Sequence, residues 1–555
     1  MPPAESQANS PSFPLLAEHG AGMLAAHRTL DEVLARADRD GRLDPAGPSR
    51  LPGWSVGHVL AHIARNADSV TRALLGANAG RVDARYPGGL TQRDGDIEAG
   101  AHRSAAALLG DIRQSNAALE QAMGDMTTAG WSGACLAMGR AQPILELPLN
   151  RWREAEVHLS DVGLSSFTID QWSADFVRHD LAFALAQRDA ELPEPIARRS
   201  PERQLAWIHG RCGPNDAAWD ASTLRSGWRR PLTSDEVAAI EAAAIDPEIR
   251  PAPRPVVLPA LERLVDELRQ HLVEGQGVAA FEGFPVERFD PTQLRAIWWG
   301  VSCALGTPVS QSWRGDLIGD VRDLGTGISG PAERGYTSNS ELNFHADACD
   351  ISGLFFLRTA KAGGVTRVAS AVAAHDVMAR RRPDALDLLY QPLPWSWQGN
   401  QPAGKPGWYE MTVFGLVDDT VSCAYVRTNI LLAPQNAGAP SLSTEQIEAV
   451  QMLVETAAEP GMWAEHSFEP GAMVFVHNHT ALHVRSAFTD WDEPTRKRHL
   501  LRVWVSTPNS HQLPKSFRSF FSSLDAGTVR GGYAPNPSAA AKAANTDTAT
   551  RVSTS

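Results

Sequence analysis

The first third of the chain repeats its apolar positions at helical spacing. In the segment PGWSVGHVLAHIARNADSVTRALLG, the residues Val56, Val59, Leu60, Ile63, Ala67, Val70 and Leu74 fall every three or four positions, which lines one face of an α-helix. Pro52 and Gly53 precede the run, and Ser55 stands where an N-cap belongs. Similar patterns cover 100–123, 147–162 and 173–186 within an Ala-rich stretch from about residue 15 to 186. Four such helices predict an up-and-down bundle. Between 193 and 259 the helical period fades and prolines accumulate, the texture of a linker, although RQLAWIHGR inside it still reads as folded.

A further helix is predicted over 258–274. Beyond it the period changes to short β-like runs: GVAAFEG, GLFFLRTA, GVTRVAS, TVSCAYVRT, GAMVFVHN and HLLRVWVS, punctuated by Gly, Pro and Asn. Helical patterns intervene at 373–382 and 444–457. Many short strands between turn signals predict a jelly roll or barrel. The fold class is therefore multidomain, α then β. A helical bundle occupies 13–212, a Pro-rich linker 213–257 and a β-barrel domain 258–534, with a disordered Ala/Thr/Ser/Asn-rich tail at 535–555.

Composition narrows the class of partner. The 555 residues carry 51 Lys+Arg against 64 Asp+Glu, a net charge of −13. That balance argues against nucleic acid or an anionic membrane as partner, since both need a basic surface, and leaves a small-molecule substrate. No apolar run is long enough to cross a bilayer, and MPPAESQANSPSFPLL lacks the basic start and apolar stretch of a signal peptide. The five cysteines, Cys135, Cys212, Cys303, Cys349 and Cys423, are widely scattered. They read as reduced thiols in a cytoplasmic protein. Oligomeric state is not legible.

Two clusters carry candidate chemistry in the β half. In SELNFHADACD, His345 and Asp347 are two apart, so on an extended strand both side chains point the same way. Two imidazoles and one carboxylate on one face of a metal leave positions open for cosubstrate and oxygen, as in non-haem iron oxygenases. A second histidine is available in FVHNHTALHVRSAF as His477, His479 or His483. In RKRHLLRVWVS a strand places Arg498, Leu500, Arg502 and Trp504 on one face and His499, Leu501, Val503 and Val505 on the other. The second face can pack in a core. The first brings two guanidiniums either to solvent or into the barrel, where each requires an anion.

On NFHAD, the AGGVT turn, HNHTALH and RKRHLLR, the region from about 258 to 509 resembles the taurine/2-oxoglutarate dioxygenase family. The resemblance implies a jelly roll in which His345, Asp347 and His483 ligate Fe(II), His483 being favoured by the family's Asn-x(4)-His pattern, here Asn478 and His483. It implies that Thr366 and Arg498 bind the distal carboxylate of 2-oxoglutarate. It further implies that Arg502, with Asn343 nearby, binds an anionic substrate. The reaction implied converts 2-oxoglutarate and O2 to succinate and CO2 while oxidising the substrate, by hydroxylation as the default and with desaturation or ring closure as variants. Halogenating relatives lack the carboxylate ligand, so Asp347 disfavours that outcome.

The bundle carries a second constellation. His58 and His62 are four apart, as are Glu154 and His158 in NRWREAEVHLSDVG. Each pair can share a helix face, and a histidine from one helix with Glu and His from another would make a three-ligand site. Solvated amphipathic helices show the same spacing. LPGWSVGHVLAHIARNADS and RWREAEVHLSDVGL resemble the DinB-like, mycothiol-dependent maleylpyruvate isomerase family over about 15–211. That implies metal ligands His62, Glu154 and His158, with zinc as the expected ion, a low-molecular-weight thiol such as mycothiol as a possible cofactor, and a structural part for His58. The leading expectation is an oxygenase acting on a small anionic metabolite such as an amino acid or carboxylic acid. The alternatives are a thiol-dependent isomerase or transferase with the barrel accessory, or a bundle that only docks substrate or oligomerises.

Overall fold

A computed structural model describes residues 13–51, 53–164, 166–187, 191–209, 217–224, 226–244, 259–325 and 338–535. Residues 213–216, 225 and 245–257 of the expected Pro-rich linker, all but the first residue of the expected tail, and Cys212 lie outside the described residues. The rest of that span is folded, not a linker: strand Arg229–Pro231 pairs into a sheet and helix Ser234–Ala242 follows it. The chain forms two compact units, residues 1–192 with 199–214, and residues 193–198 with 215–555.

In the first unit four helices make the bundle: Phe13–Arg39, Val56–Asn78, Ala105–Gly124 and Leu147–Asp161. Apolar side chains from all four, including Leu30, Leu60, Leu108 and Leu159, merge in one buried core. The fourth member is thus Phe13–Arg39, while Ala174–Ala186 packs at the periphery. The pattern predicted over 100–123 is divided, because one helix ends at Ala101 and Ser104 caps the next by accepting from the Ala107 amide. Ser55 caps Val56–Asn78 as expected, and His58 completes a capping box with it, its Nδ1 accepting from the Ser55 amide. The RQLAWIHGR run folds back as helix Pro201–Ile208, and His209 Nε2 bonds the buried Asp180 at 2.6 Å.

The second unit is built on two sheets. In the larger one, Val278–Glu282, Met473–His477, Ile351–Arg358 and His499–Ser506 lie side by side, extended at its edges by Arg229–Pro231, Thr307–Val309 and Ile318–Val321. The smaller sheet is Trp463–His466, Thr366–Ser370 and Ala481–Arg485, all antiparallel. Strand alternation sorts the side chains. Met473, Phe475, Leu501 and Val503 pack outward against helices Pro259–Arg269 and Pro291–Leu305. Val474, Val476, Phe356 and Leu500 point the other way and merge with Val368 and Ala481 of the smaller sheet. Arg502 shares the parity of Leu500, so it belongs to the inner face of His499–Ser506, and Arg498 immediately precedes that strand. The residues after that strand return to the sheet: Arg530, fully buried, donates to buried Asp350 at 2.8 Å.

Candidate active site and a second metal-type cluster

His345 and Asp347 lie on a non-helical segment that pairs with strand Ala481–Arg485. The His345 amide donates to the His483 carbonyl at 3.1 Å and the His483 amide returns the bond at 2.9 Å. This exchange sets the two imidazoles side by side, ring centroids 4.4 Å apart. Donor atoms of His345, Asp347 and His483 all lie within 4.8 Å of one another. His477 and His479 turn elsewhere, toward Thr480 and Asp350 respectively. Burial and the neighbouring His345 lower the His483 imidazole to about 3, which leaves the lone pair of one ring nitrogen free. Burial by itself would raise the Asp347 carboxyl, but Arg502, His483, His345 and a hydrogen bond from Ser352 outweigh it and hold it at about 2. Two imidazoles and an anionic carboxylate in this spacing fit a divalent transition metal.

Asn478 organises the carboxylate. Its Oδ1 accepts from the Asp347 amide at 2.8 Å, and its Nδ2 donates at 2.8 Å to Ser352, whose hydroxyl donates to Asp347 Oδ2 at 2.8 Å. In the sequence Asn478 was visible only as part of a pattern; its bonding depends on residues more than a hundred positions away.

Arg498 is 4% exposed, and its Nη1 has no hydrogen-bond partner among the described residues. Burial and the charge of Arg485 lower it to about 9. A cation so placed requires an anion. Gly364 lies alongside with φ +74, and a Cβ there would come within 3.4 Å of Arg498 Nε. Thr366 starts the strand two residues on and is buried. These three positions fit a carboxylate-bearing ligand.

Arg502 and Asn343 line one cavity of about 230 Å³ together with His345 and Asp347. Sequence reasoning missed three groups of its wall. Gln311 accepts from Arg502 Nε at 2.7 Å. Arg427 and Asn429 come from the short helix Arg427–Leu431. Tyr409, Phe520 and Tyr533 are aromatic lining, joined by Trp395, whose buried indole donates to the Met411 carbonyl. No local pattern marks these residues, because long-range packing brings them together. Cys349 is fully buried, as a small apolar side chain would be.

In the bundle, His62 Nε2 lies 3.0 Å and His158 Nε2 3.4 Å from the same oxygen, Glu154 Oε2. His158 Nδ1 bonds Asp161 at 2.8 Å, which orients its ring. Burial lowers His62, while for Glu154 the two histidines outweigh burial and keep the carboxylate charged. His58 points away and bonds Glu98 at 3.1 Å. A cavity of about 340 Å³ opens on the trio, lined also by Trp54, Arg85, Tyr86 and Arg93, and the buried Tyr86 hydroxyl has no hydrogen-bond partner among the described residues.

Comparison with known proteins agrees with this division. Residues 239–504 match the model of the taurine catabolism dioxygenase TauD, TfdA family. Residues 23–163 match the mycothiol maleylpyruvate isomerase N-terminal domain. The FR-33289 synthase of Streptomyces rubellomurinus (strain ATCC 31215) is 32% identical over 261 residues, which cover 46% of this chain and 76% of that protein. The taurine hydroxylase-like protein SAT17 of Stachybotrys chartarum (strain CBS 109288 / IBT 7711) is 27% identical over 289 residues, 49% and 73% of the respective chains. Among solved structures, an asparagine oxygenase with Fe(II), 2S,3S-3-hydroxyasparagine and succinate aligns at TM-score 0.40 and 17% identity, covering 54% of this chain and all of the other. A mycothiol-dependent maleylpyruvate isomerase aligns at TM-score 0.32 and 23% identity, covering 36% and 90%.

The β unit is thus that of a non-haem oxygenase. The chain belongs to the TauD/TfdA family of Fe(II)- and 2-oxoglutarate-dependent dioxygenases. Among the described residues no helix is long and apolar enough to cross a membrane.

Proposed function

We propose that His345, Asp347 and His483 hold Fe(II), that Arg498 and Thr366 bind the distal carboxylate of 2-oxoglutarate, and that the enzyme hydroxylates a small anionic metabolite, an amino acid or carboxylic acid, anchored by Arg502 and Asn343. One observation carries the reading: a buried guanidinium, Arg498, whose Nη1 has no hydrogen-bond partner among the described residues, stands just before the strand that carries Arg502, which reaches toward the three-donor cluster. When bound, iron with 2-oxoglutarate and O2 supplies the oxidising power, the oxoacid leaving as succinate and CO2. The residues of the chain do the rest. Asn478 and Ser352 fix the carboxylate of Asp347, and Asn343, through its carbonyl 2.9 Å from His345 Nδ1, sets that imidazole's tautomer. Arg502 is steadied by Gln311 so that an anionic group docked on it lies beside the metal position. The aromatic wall excludes water from the reacting C–H bond.

Purified protein with Fe(II) and 2-oxoglutarate should form succinate slowly without substrate, and His345→Ala should abolish this turnover. A variant that kept it would remove the iron site from these residues. A screen of amino acids and small carboxylates for accelerated succinate formation identifies the substrate class.

A second reading concerns the bundle. The shared Glu154 oxygen between two histidines favours a second metal, zinc, in a site that takes a low-molecular-weight thiol or an anionic ligand, Arg85 and Arg93 lining the same cavity. Metal analysis of the full chain tests it: loss of one zinc equivalent in His62→Ala supports the site, and unchanged zinc excludes it. Four of the cysteines, Cys135, Cys303, Cys349 and Cys423, are free thiols, which supports placement in the reducing cytoplasm.

A further inference from the structure

Arg485, two residues beyond His483, lies across the smaller sheet from Thr366 as its direct cross-strand partner. Its side chain is buried, and neither it nor Arg498 has a salt-bridge partner among the described residues, Asp323 and Asp490 acting only at longer range. The two guanidiniums share one aromatic ring. The carbon of Arg485 lies 4.6 Å and that of Arg498 5.1 Å from the centroid of Phe488. Like charges this close and this dry repel, and the ring's π face offsets only part of the repulsion.

Arg485 has a second set of contacts. Its Nη1 donates to the Ser338 carbonyl at 2.8 Å and its Nη2 to the Ser340 carbonyl. Beside this clamp, the Phe488 amide donates to the Asn339 carbonyl at 3.1 Å and the Leu342 amide to the Arg485 carbonyl at 3.2 Å. Three residues further on comes the His345–His483 exchange. The segment 338–345, which delivers Asn343 and His345 to the cavity, is therefore tied to strand Ala481–Arg485 along its length. One end of that tie is a cation in contact with the cosubstrate arginine's own aromatic neighbour.

We propose that Arg485 is a positioning residue that couples 2-oxoglutarate binding to the seating of segment 338–345, given the reading of Arg498 as the cosubstrate anchor. An anion on Arg498 cancels the repulsion across Phe488. The Arg485 guanidinium then settles on its two carbonyl acceptors, and the segment carrying Asn343 and His345 is held more firmly. Anion occupancy at the distal site thereby readies the substrate side of the cavity.

Amide hydrogen exchange on the full chain tests this, with Fe(II) present and oxygen excluded so that no turnover occurs. In the wild type, 2-oxoglutarate slows exchange of the peptide spanning 338–345 several-fold. In Arg485→Gln the oxoacid still binds, its KM rises by about tenfold as the neighbouring positive charge and the carbonyl clamp are lost, kcat for uncoupled succinate formation changes far less, and the ligand-dependent protection disappears. Arg485→Lys keeps the charge but cannot bridge two carbonyls, so it also lacks the protection. Phe488→Leu, which preserves both arginines, weakens it. Full protection in a folded Arg485→Gln or Arg485→Lys protein overturns the inference. The underlying reading fails separately: if Arg498→Gln binds 2-oxoglutarate as tightly as wild type, the distal site is elsewhere.

Discussion

Arg502 Nη1 stands 3.6 Å from Asp347 Oδ1, so the proposed substrate anchor and the proposed iron carboxylate touch directly. The contact is close enough to be electrostatic. Binding of an anionic substrate thus alters the field at Asp347. Arg502→Gln is expected to lower coupled product formation about a hundredfold or more, the loss of a half-buried charged anchor. Uncoupled succinate formation should persist. Equal loss of both activities would make Arg502 part of the iron or cosubstrate site instead.

Arg498 is an isolated buried charge without its ligand, so its removal should relieve the unliganded protein. Arg498→Met is expected to leave the thermal midpoint of the apoprotein unchanged or higher while abolishing the upward shift that 2-oxoglutarate produces in the wild type. Thermal denaturation with and without the oxoacid reads both effects. A large fall in the apoprotein midpoint would show that the guanidinium is a structural support.

Asn478 bridges the Asp347 amide and the Ser352 hydroxyl from a fully buried position. Asn478→Ala should cost about 1–3 kcal/mol of stability by orphaning buried partners and weaken Fe(II) binding by roughly 10–100-fold. Calorimetric titration under anaerobic conditions separates the two effects. Wild-type iron affinity in the variant would assign Asn478 a purely structural part.

Asp350 supplies a pH dependence. Burial would raise its carboxyl, but His479 and Arg530 outweigh this and hold it at about 2. The folded value is below the unfolded one, so its contribution, about 2 kcal/mol, is fully present above pH ~4. It is lost as pH falls from there through about 2. Asp350→Asn should therefore destabilise the protein at neutral pH and flatten the acid limb of its stability curve. Equilibrium unfolding across that window measures it, and parallel wild-type and variant curves would assign the acid sensitivity to other carboxylates.

Much of the architecture could be read before the fold was known. Helical spacing in 56–74 and the Ser55 cap, the strand His499–Ser506 and the helix Thr444–Ala457 all follow from local patterning. Where patterning misled, a specific interaction intervened. The helix predicted from Gly100 is interrupted because Ser104 caps a new start, and the fourth bundle helix is Phe13–Arg39 because burial against three partners, which no single segment encodes, decides membership. Among the alternatives His477, His479 and His483, the family pattern favoured His483, and pairing across the segment carrying His345 is what brings that histidine beside Asp347.

The sequence by itself determined the residue types and their strand parity. It set His345 two positions from Asp347 and put Arg502 on one face of a strand whose other face is apolar, with Arg498 just before that strand, and these are local properties of a chain whose side chains alternate. Only the tertiary structure decided that Arg498 is buried with its Nη1 unpartnered among the described residues, that Asn478 and Ser352 hold Asp347, and that Arg485 joins the cosubstrate arginine to segment 338–345. The reason is physical. Desolvation and hydrogen bonding act through space between segments more than a hundred residues apart, and what they do to a charge depends on what the fold leaves beside it.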